Sequence, residues 1–447
     1  MRRALAALLV LAAACGPKAP PERAPAEPPG VRDSAAPAPG ETAALPPTDE
    51  AARPPEPDFA AGRSVRVALH TEAAEVTVSA TGAWRLYDQN GASALLRAER
   101  GDAWTVRASE GDLEAVRSDG ARTSRREAPF VARPVAVGTY ITVNGRPYRG
   151  DVQIRPGQRG LVVVNRVSLE DYLRGVVPLE IGRRTPEERA AVEAQAIAAR
   201  SYALAHLRTD APRGYDLAST VSDQVYGGVG AETGLSDAAV ASTRAQVLTY
   251  NGRVIAAPYS ANCGGRTAAA GEVWHEGDAS YLPSVSDRRP GSGDRFYCDI
   301  TPRFHWTRAY SRKELNAVLE RNLRSYATVR GKIGAVTGIS VDARSGSGRV
   351  ATLLIVTDRG TYELHGNEIR FAFQPAGGEI LPSTRLTVEL ERDDAGRVER
   401  VSFSGTGNGH GVGMCQWGAI GRARDGQSAR AILRTYYPGT VVTVLPE

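Results

Sequence analysis

Thr185-Pro186-Glu187-Glu188 is a helix start written into the chain. Threonine suits the N-cap, proline fits the first helical position, and Glu188 three residues on completes a capping box. Losing such a cap costs about 1 kcal/mol. The helix predicted from it runs from Thr185 to Leu207 and is dense in alanine, with Ala191, Ala194, Ala198 and Ala205 falling on one side. So little side-chain bulk forces neighbouring elements to approach closely, so this segment predicts a tightly packed element. Gln195 and Tyr202 lie seven residues apart, on nearly the same face. Arg200 lies elsewhere, in line with Glu193, and the two read as a solvated face.

The remainder predicts an α+β chain: a mixed, β-rich body with a few packed helices. Alternating runs mark strands at Val65–Leu69, Ala74–Val78, Trp84–Tyr87 and Trp104–Val106, with turn signals at Asn90-Gly91 and Gly111-Asp112. Tyr140 to Gly150 reads as a hairpin through Asn144-Gly145, and Leu161–Asn165 as a buried strand. Asn251-Gly252 between two apolar runs predicts a type I′ hairpin. Residues 311–325 read as helix. Strands return at Gly338–Val341, Val350–Val356 and Arg385–Leu390. A helix over 429–436, opened by Ser428, a Pro438-Gly439 turn and a strand at Val441–Val444 close the chain. No internal repeat is apparent.

The first sixty residues differ in kind. Met1-Arg2-Arg3 is a charged start, and Ala4–Leu11 is an apolar run too short to span a bilayer. Ala12-Ala13-Ala14 then precede Cys15. This predicts a lipoprotein-type signal (residues 1–15) with Cys15 as the lipidated residue; the alternative is an ordinary secretory signal. Residues 16–60, rich in proline and alanine, predict a disordered tether. A β-rich N-terminal part over 61–150 and a main domain over 151–447 follow. The expected location is exported and membrane-anchored through the lipid, facing the periplasm or cell surface. The net charge of +5 comes from arginine, the only lysines being Lys18, Lys313 and Lys332. No basic run interleaved with aromatics appears, so no nucleic-acid partner is expected. Three further cysteines remain. Cys263–Cys298 is the favoured disulfide, although sequence spacing does not fix connectivity. With no CxxC and no His-x-x-x-His, no metal is assigned, and no cofactor is called for.

Three segments carry candidate chemistry. In Val177-Pro178-Leu179-Glu180-Ile181-Gly182, Glu180 is expected on a loop beyond a helix break at Pro178. Apolar neighbours there would raise its pKa and keep it protonated as a general acid; the plainer reading pairs it with Arg183 or Arg184. Glu170 and Asp171, just before, read as a solvated cap. In Tyr259 to Thr267, Gly264 and Gly265 allow close backbone approach to a ligand. Cys263 is a conceivable nucleophile there, but structural use is favoured because no acid–His partner is near; His275 and Glu276 read as a surface pair. In Gly405 to Ala419, alternate glycines suit backbone N–H donation to a ligand, without the Lys-Ser/Thr of a phosphate loop. His410 has freedom there to face a cleft, and Trp417 either stacks on a sugar or packs.

These residues assemble into a resemblance. Leu169 to Glu180, Ala194 to Ala203, Asp223-Gln224-Val225-Tyr226-Gly227-Gly228, Ser260 to Thr267, Gly409 to Met414, Gln416 to Ala419 and Tyr436 to Thr440 occur in the order found in the SpoIID/LytB family of bacterial cell-wall proteins. The resemblance covers about Tyr140 to the end. It implies a SpoIID-like fold and peptidoglycan glycan strands as partner and substrate. It further implies lytic transglycosylation with the glutamate of Val-Pro-x-Glu, here Glu180, as catalytic acid. Substrate contacts are expected from Gln195, Arg200, Tyr202, Gln224, Tyr226, Ser260, Gly264, Gly265, His410, Gln416 and Trp417. Other members are described as amidase enhancers, so a cell-wall amidase is the alternative partner of a non-catalytic protein. Two departures stand out. Some relatives bind zinc through His and Cys just before the Gln-x-Tyr motif, and Gly214 to Asp223 holds neither. Asn408 and Cys415 stand where relatives often carry Trp and Ser.

Overall fold

The computed structural model describes residues 63–446 except 90, 92–93, 110, 208–212 and 275–278. The signal, Cys15, the tether and the His275/Glu276 pair lie outside the described residues. The described body is a mixed α+β fold rich in strand.

Its N-terminal half is built of two sheets. One has seven strands in the order Leu217–Ala218, Ser64–Ala73, Gly160–Ser168, Asp151–Gly157, Phe130–Pro134, Trp84–Tyr87, Ala94–Ala98. The other has five: Asp112–Arg117, Trp104–Ser109, Glu75–Ala80, Ile141–Val143, Arg146–Tyr148. Ser64–Ala73 runs antiparallel to Gly160–Ser168, with Ser64 opposite Ser168. Strands from either side of residue 150 therefore share one sheet, and that position is not a break in packing. Both Asn-Gly hairpins form. Asn144 and Gly145 have φ of 48° and 80°, and Asn251 and Gly252 of 50° and 76°. Those are the left-handed pairs a type I′ turn demands.

Among the described residues there are seven helices: α1 (Leu169–Ile181), α2 (Arg189–His206), α3 (Gly234–Ser242), α4 (Arg312–Asn322), α5 (Glu368–Ala372), α6 (Gln416–Arg424) and α7 (Ala429–Tyr436). The capping box at Thr185 is present, with the Thr185 N–H donating to Glu188 at 3.1 Å, and its first turn is a 3₁₀ segment before α2 begins. From Ala191 to Ala203 nearly every residue of α2 is buried. The expected single alanine face is thus a helix enclosed by α1, α3, α6, α7 and the strand Gln246–Tyr250; only at Ala205 does the alanine row reach solvent.

Of the predicted solvated groups, Arg200 is not solvated and Glu170 is half-buried. Arg200 is fully buried and forms a two-point ion pair with Glu170, at 2.8 and 2.7 Å. Its remaining N–H groups reach the carbonyls of Gln246 (3.1 Å) and Val240 (3.3 Å) and the Thr243 hydroxyl. One guanidinium thus ties α1, α2, α3 and the next strand together. Glu193 is as expected, pairing with Arg189 at 2.8 Å on the half-exposed side.

A second hydrophobic core, centred on Leu319, Leu353, Ile355, Phe373 and Phe403, is assembled by residues 306–403. It contains α4, α5, the sheet Val336–Arg344, Val350–Thr357, Gly360–His365 and the sheet His305–Ser311, Val398–Thr406, Leu386–Arg392. Val336–Arg344, Val350–Thr357 and Leu386–Arg392 match expectation; His305–Ser311, Gly360–His365 and Val398–Thr406 add three strands that the residue runs did not single out, and the separate core they share is likewise a finding of the structure. It is joined to the main core by Ser345 and Ser347 on Glu272 (2.9 and 3.2 Å) and by Arg349 on the Cys263 carbonyl (3.0 Å).

Removing one member of a buried ion pair leaves the other uncompensated, typically at 3–5 kcal/mol. Glu170 keeps some solvent access, which moderates this. Arg200→Ala is therefore expected to lower unfolding stability by about 2–4 kcal/mol, measured by urea denaturation. An unchanged midpoint would mean that the clamp holds nothing.

Candidate active site

Glu180 lies in the last turn of α1, not on a loop. Pro178 sits inside the helix, which continues to Ile181 and ends at Gly182 with φ of 76°. Proline forfeits the N–H that would have bonded the carbonyl four residues back and crowds that carbonyl, yet the helix runs three residues past it. Tyr172, Val176 and Val177 of α1 are buried, whereas Glu180 is half-buried.

The carboxyl meets few partners. Its Oε1 accepts the Val225 N–H at 2.7 Å. Among the described residues it forms no ion pair: Arg183 is exposed, and Arg184 stands 3.8 Å from Glu188 and over the Trp417 ring at 5.1 Å. Burial pushes the Glu180 carboxyl up to about 7, against the opposing pull of the Val225 N–H and the Gln416 side chain. Desolvation disfavours the charged form, and no cation is at hand to offset it.

Around it the structure brings together Gln195, Gln416, Gln224, Tyr172, Tyr202 and Tyr259. Gln416 opens α6 and donates to Gln195 Oε1 at 3.2 Å. Gln224, fully buried, accepts from the Tyr172 hydroxyl (3.1 Å) and donates to the Tyr259 hydroxyl (2.9 Å). Tyr202 lies half-buried, stacked on His206 at 4.1 Å, its hydroxyl 3.5 Å from Asp223. Burial and the Asp223 charge push that phenol up to about 12. Gln195 Nε2 and Ser260 Oγ are buried without a protein hydrogen-bond partner. Tyr172, Tyr259 and Asp223 were not singled out from sequence; only their place in the motifs Leu169–Glu180, Asp223–Gly228 and the run before Ser260 pointed to them.

Other expected contacts turn inward. Arg200 is spent on the helix clamp. Tyr226 is buried, donates to Asn165 at 2.8 Å and packs on Tyr172 at 5.0 Å. Gly264 and Gly265, with φ of 71° and 99°, are approached by the Thr406 backbone and the Phe296 ring rather than by a ligand. The glycine-alternating loop is likewise used by the protein itself. Gly407, Gly409, Gly411 and Gly413 all have positive φ, and a Cβ on any of them would strike residues 258–264 or Arg349. Three of its N–H groups are engaged within the protein: Gly407 on Phe304, Asn408 on Asn262 and Gly409 on Pro382, each at 2.8 Å.

His410 does not move freely in a cleft. Its Nδ1 accepts the Val412 N–H at 3.1 Å and its Nε2 donates to the Tyr259 carbonyl at 2.8 Å. That fixes a neutral tautomer, and burial lowers its pKa to about 4. Cys263 is fully buried with its thiol pushed up by burial, which removes it as a nucleophile. Its Sγ lies 3.6 Å from Cys298 Sγ, far beyond the 2.05 Å of a disulfide, and both are free thiols. Trp417 is half-buried, with Arg184 across its ring.

The Glu180 shift has a stability signature. Its folded pKa of about 7 exceeds the ordinary 4.5, so the folded state holds the proton more tightly. The contribution is fully present below pH 4.5 and is lost as pH rises towards 7. Glu180→Gln, permanently neutral, is thus expected to gain stability relative to wild type across that window and to hold the gain above it. Thermal unfolding at a series of pH values measures this; a gap independent of pH would contradict the burial argument.

The sequence matches known proteins along the segments that build this site. The family described as stage II sporulation protein matches residues 157–250, and a domain of unknown function matches residues 293–413. An uncharacterised protein of Brachyspira hyodysenteriae is 35% identical over 300 residues, 67% of this chain and 73% of that protein. The amidase enhancer of Bacillus subtilis is 30% identical over 302 residues, 61% of this chain but only 40% of its own length. Stage II sporulation protein D of Bacillus subtilis is 28% identical over 327 residues, 70% of this chain and 80% of that protein. With α1, α2 and Glu180 inside residues 157–250, and these relatives alongside, the chain belongs to the SpoIID/LytB family.

Proposed function

We propose that this protein acts on the bacterial cell wall, cutting peptidoglycan glycan strands by lytic transglycosylation with Glu180 as the single acid–base group. The observation that carries this reading is the environment of Glu180: a half-buried carboxyl raised to about 7, with a backbone N–H at 2.7 Å and no ion-pair partner among the described residues. Near neutral pH a large share of such groups carries a proton, and a pKa near the working pH suits a group that must both give and take one.

The chemistry balances on one carboxyl. Glu180 gives its proton to the glycosidic oxygen as the C1–O bond breaks. The sugar's own 6-hydroxyl attacks C1, and its proton passes to the Glu180 carboxylate. A 1,6-anhydro end forms, no water is consumed, and the acid is regenerated. Hydrolysis would instead call for a second carboxylate to activate water or attack the sugar. Asp223, close by in the Asp223–Gly228 motif, has both oxygens committed, one to the Ala218 N–H at 2.9 Å and one to the Tyr202 hydroxyl. General acid–base catalysis supplies roughly 10²–10⁴ in rate, so substrate positioning must contribute much of the rest. We assign that positioning to Tyr202 and Gln416, which lie beside Glu180. The lipid-anchored, exported location remains part of this proposal.

A second reading rests on one relative's name, amidase enhancer. In that reading the same surface holds the wall without cutting it and localises or stimulates an amidase.

Digestion of purified glycan strands, with and without stem peptides, followed by mass analysis separates the two. The catalytic reading expects anhydro-ended products from wild type and at least a hundredfold fewer from Glu180→Gln, with Asp223→Asn remaining active. Equal products from wild type and Glu180→Gln would remove Glu180 from the mechanism. No products from either, with wall binding retained, would favour the second reading. Because the acid must start protonated, kcat/KM is expected to fall as pH rises through about 7.

A further inference from the structure

Cys263, Cys298, Cys415 and Asp287 converge from four separate segments, and one ligand atom from each lies within 4.8 Å of all the others. All four residues are fully buried. The Cys263 and Cys298 sulfurs are 3.6 Å apart, and Cys263 Sγ lies 3.8 Å from Asp287 Oδ2. Zinc bonds sulfur at about 2.3 Å, which gives a tetrahedral edge of about 3.8 Å. The Cys263–Cys298 spacing is therefore too wide for a disulfide, and both it and the Cys263–Asp287 spacing are close to the edge of such a tetrahedron.

The surroundings are those of held ligands. Asp287 Oδ1 accepts from the Tyr436 hydroxyl (2.7 Å) and from Arg422 (3.1 Å), which leaves Oδ2 turned to the sulfurs. Cys415 Sγ accepts two backbone N–H groups, from Cys263 at 3.1 Å and Gly418 at 3.3 Å, at the N-terminus of the nine-residue helix α6. Such donors favour a thiolate. Gly418 has no room for a side chain, because a Cβ there would strike both the Tyr436 hydroxyl and Asp287 Oδ2. Three thiolates and a carboxylate around a dication leave a charge of −2. Arg422 on Asp287 and the buried Arg349 on the Cys263 carbonyl face it with +2.

We propose that Cys263, Cys298, Cys415 and Asp287 form a closed, structural zinc site. Three sulfurs and one oxygen in a tetrahedron suit this borderline-soft, redox-silent ion, and with four protein ligands no position is open for catalysis. The site is unrelated to the stretch Gly214–Asp223, which holds no His or Cys. Its place in the fold gives it a use. It pins the turn after Tyr259-Ser260, the Tyr297–Ile300 turn and the start of α6 at one point, and the residue after Cys415 is Gln416, which contacts Gln195 and Glu180.

The test uses the full chain purified without added metal or chelator. Metal is measured by mass spectrometry, then stripped and replaced with zinc or cobalt(II). The site predicts about one zinc per chain, as isolated or after reconstitution. Cobalt should give intense tetrahedral d–d bands with thiolate-to-metal charge transfer. Occupancy should be lost in Cys298→Ser, and Tyr436→Phe should bind zinc about tenfold more weakly through loss of the outer-shell hydrogen bond to Asp287. Wild type with less than half an equivalent of zinc after reconstitution and no tetrahedral cobalt bands overturns the proposal. So does an intact mass two hydrogens light with Cys263 linked to Cys298. These decisive readings need only wild type, so a variant that fails to fold does not blur them.

Discussion

Helix α2 can be enclosed only because it carries so little side chain. From Ala191 to Ala203 its small residues let α1, α3, α6, α7 and the strand Gln246–Tyr250 close around it. Enclosure has a cost, since the polar groups of the helix must find partners inside the protein. Arg200 finds Glu170 and two carbonyls, and Gln195 finds Gln416. The same packing brings the end of α1, with Glu180, against the start of α6. The acid's environment is thus a consequence of how closely the helices approach. Half-burial raises its pKa, and the absence of an ion-pair partner among the described residues keeps it raised.

The glycine-alternating loop is used differently from what its composition suggests. Glycine alternation in Gly405–Gly413 resembles a ligand cradle, yet the Gly407, Asn408 and Gly409 N–H groups pair with Phe304, Asn262 and Pro382, and the glycines pack against residues 258–264 and Arg349. That pairing fixes His410 as a neutral strut on the Tyr259 carbonyl and aligns Cys415 with Ser260. Cys415 then leads directly into Gln416. Support and chemistry are adjacent along the chain.

Much of the scaffold was legible because its signals are local. The capping box at Thr185, the Asn144-Gly145 and Asn251-Gly252 turns, the Ser428 cap and the strand runs each act within a few residues, and each appears where expected; Asn90 lies outside the described residues. Glu180 was legible as an acid with apolar neighbours. Its seat was not, because Pro178 reads as a break while the packed α1 absorbs it. Arg200 was misread as solvated because helical position does not say which face a distant strand will cover. The cysteine cluster left no spacing signature: its members are separated by 35 and 117 positions, and Asp287 comes from a fourth segment. The second core around Phe373 and Phe403 was invisible for the same reason. Strand patterns do not reveal which sheets share an interior.

The claim on which the account turns is that Glu180 remains substantially protonated near neutral pH. Carbon-13 NMR of the glutamate side-chain carboxyls, with Glu180→Gln supplying the assignment, measures this directly. The account predicts a titration midpoint near 7 for Glu180. A midpoint at the ordinary 4.5 would show an ionised, solvated carboxylate and would contradict its role as the acid.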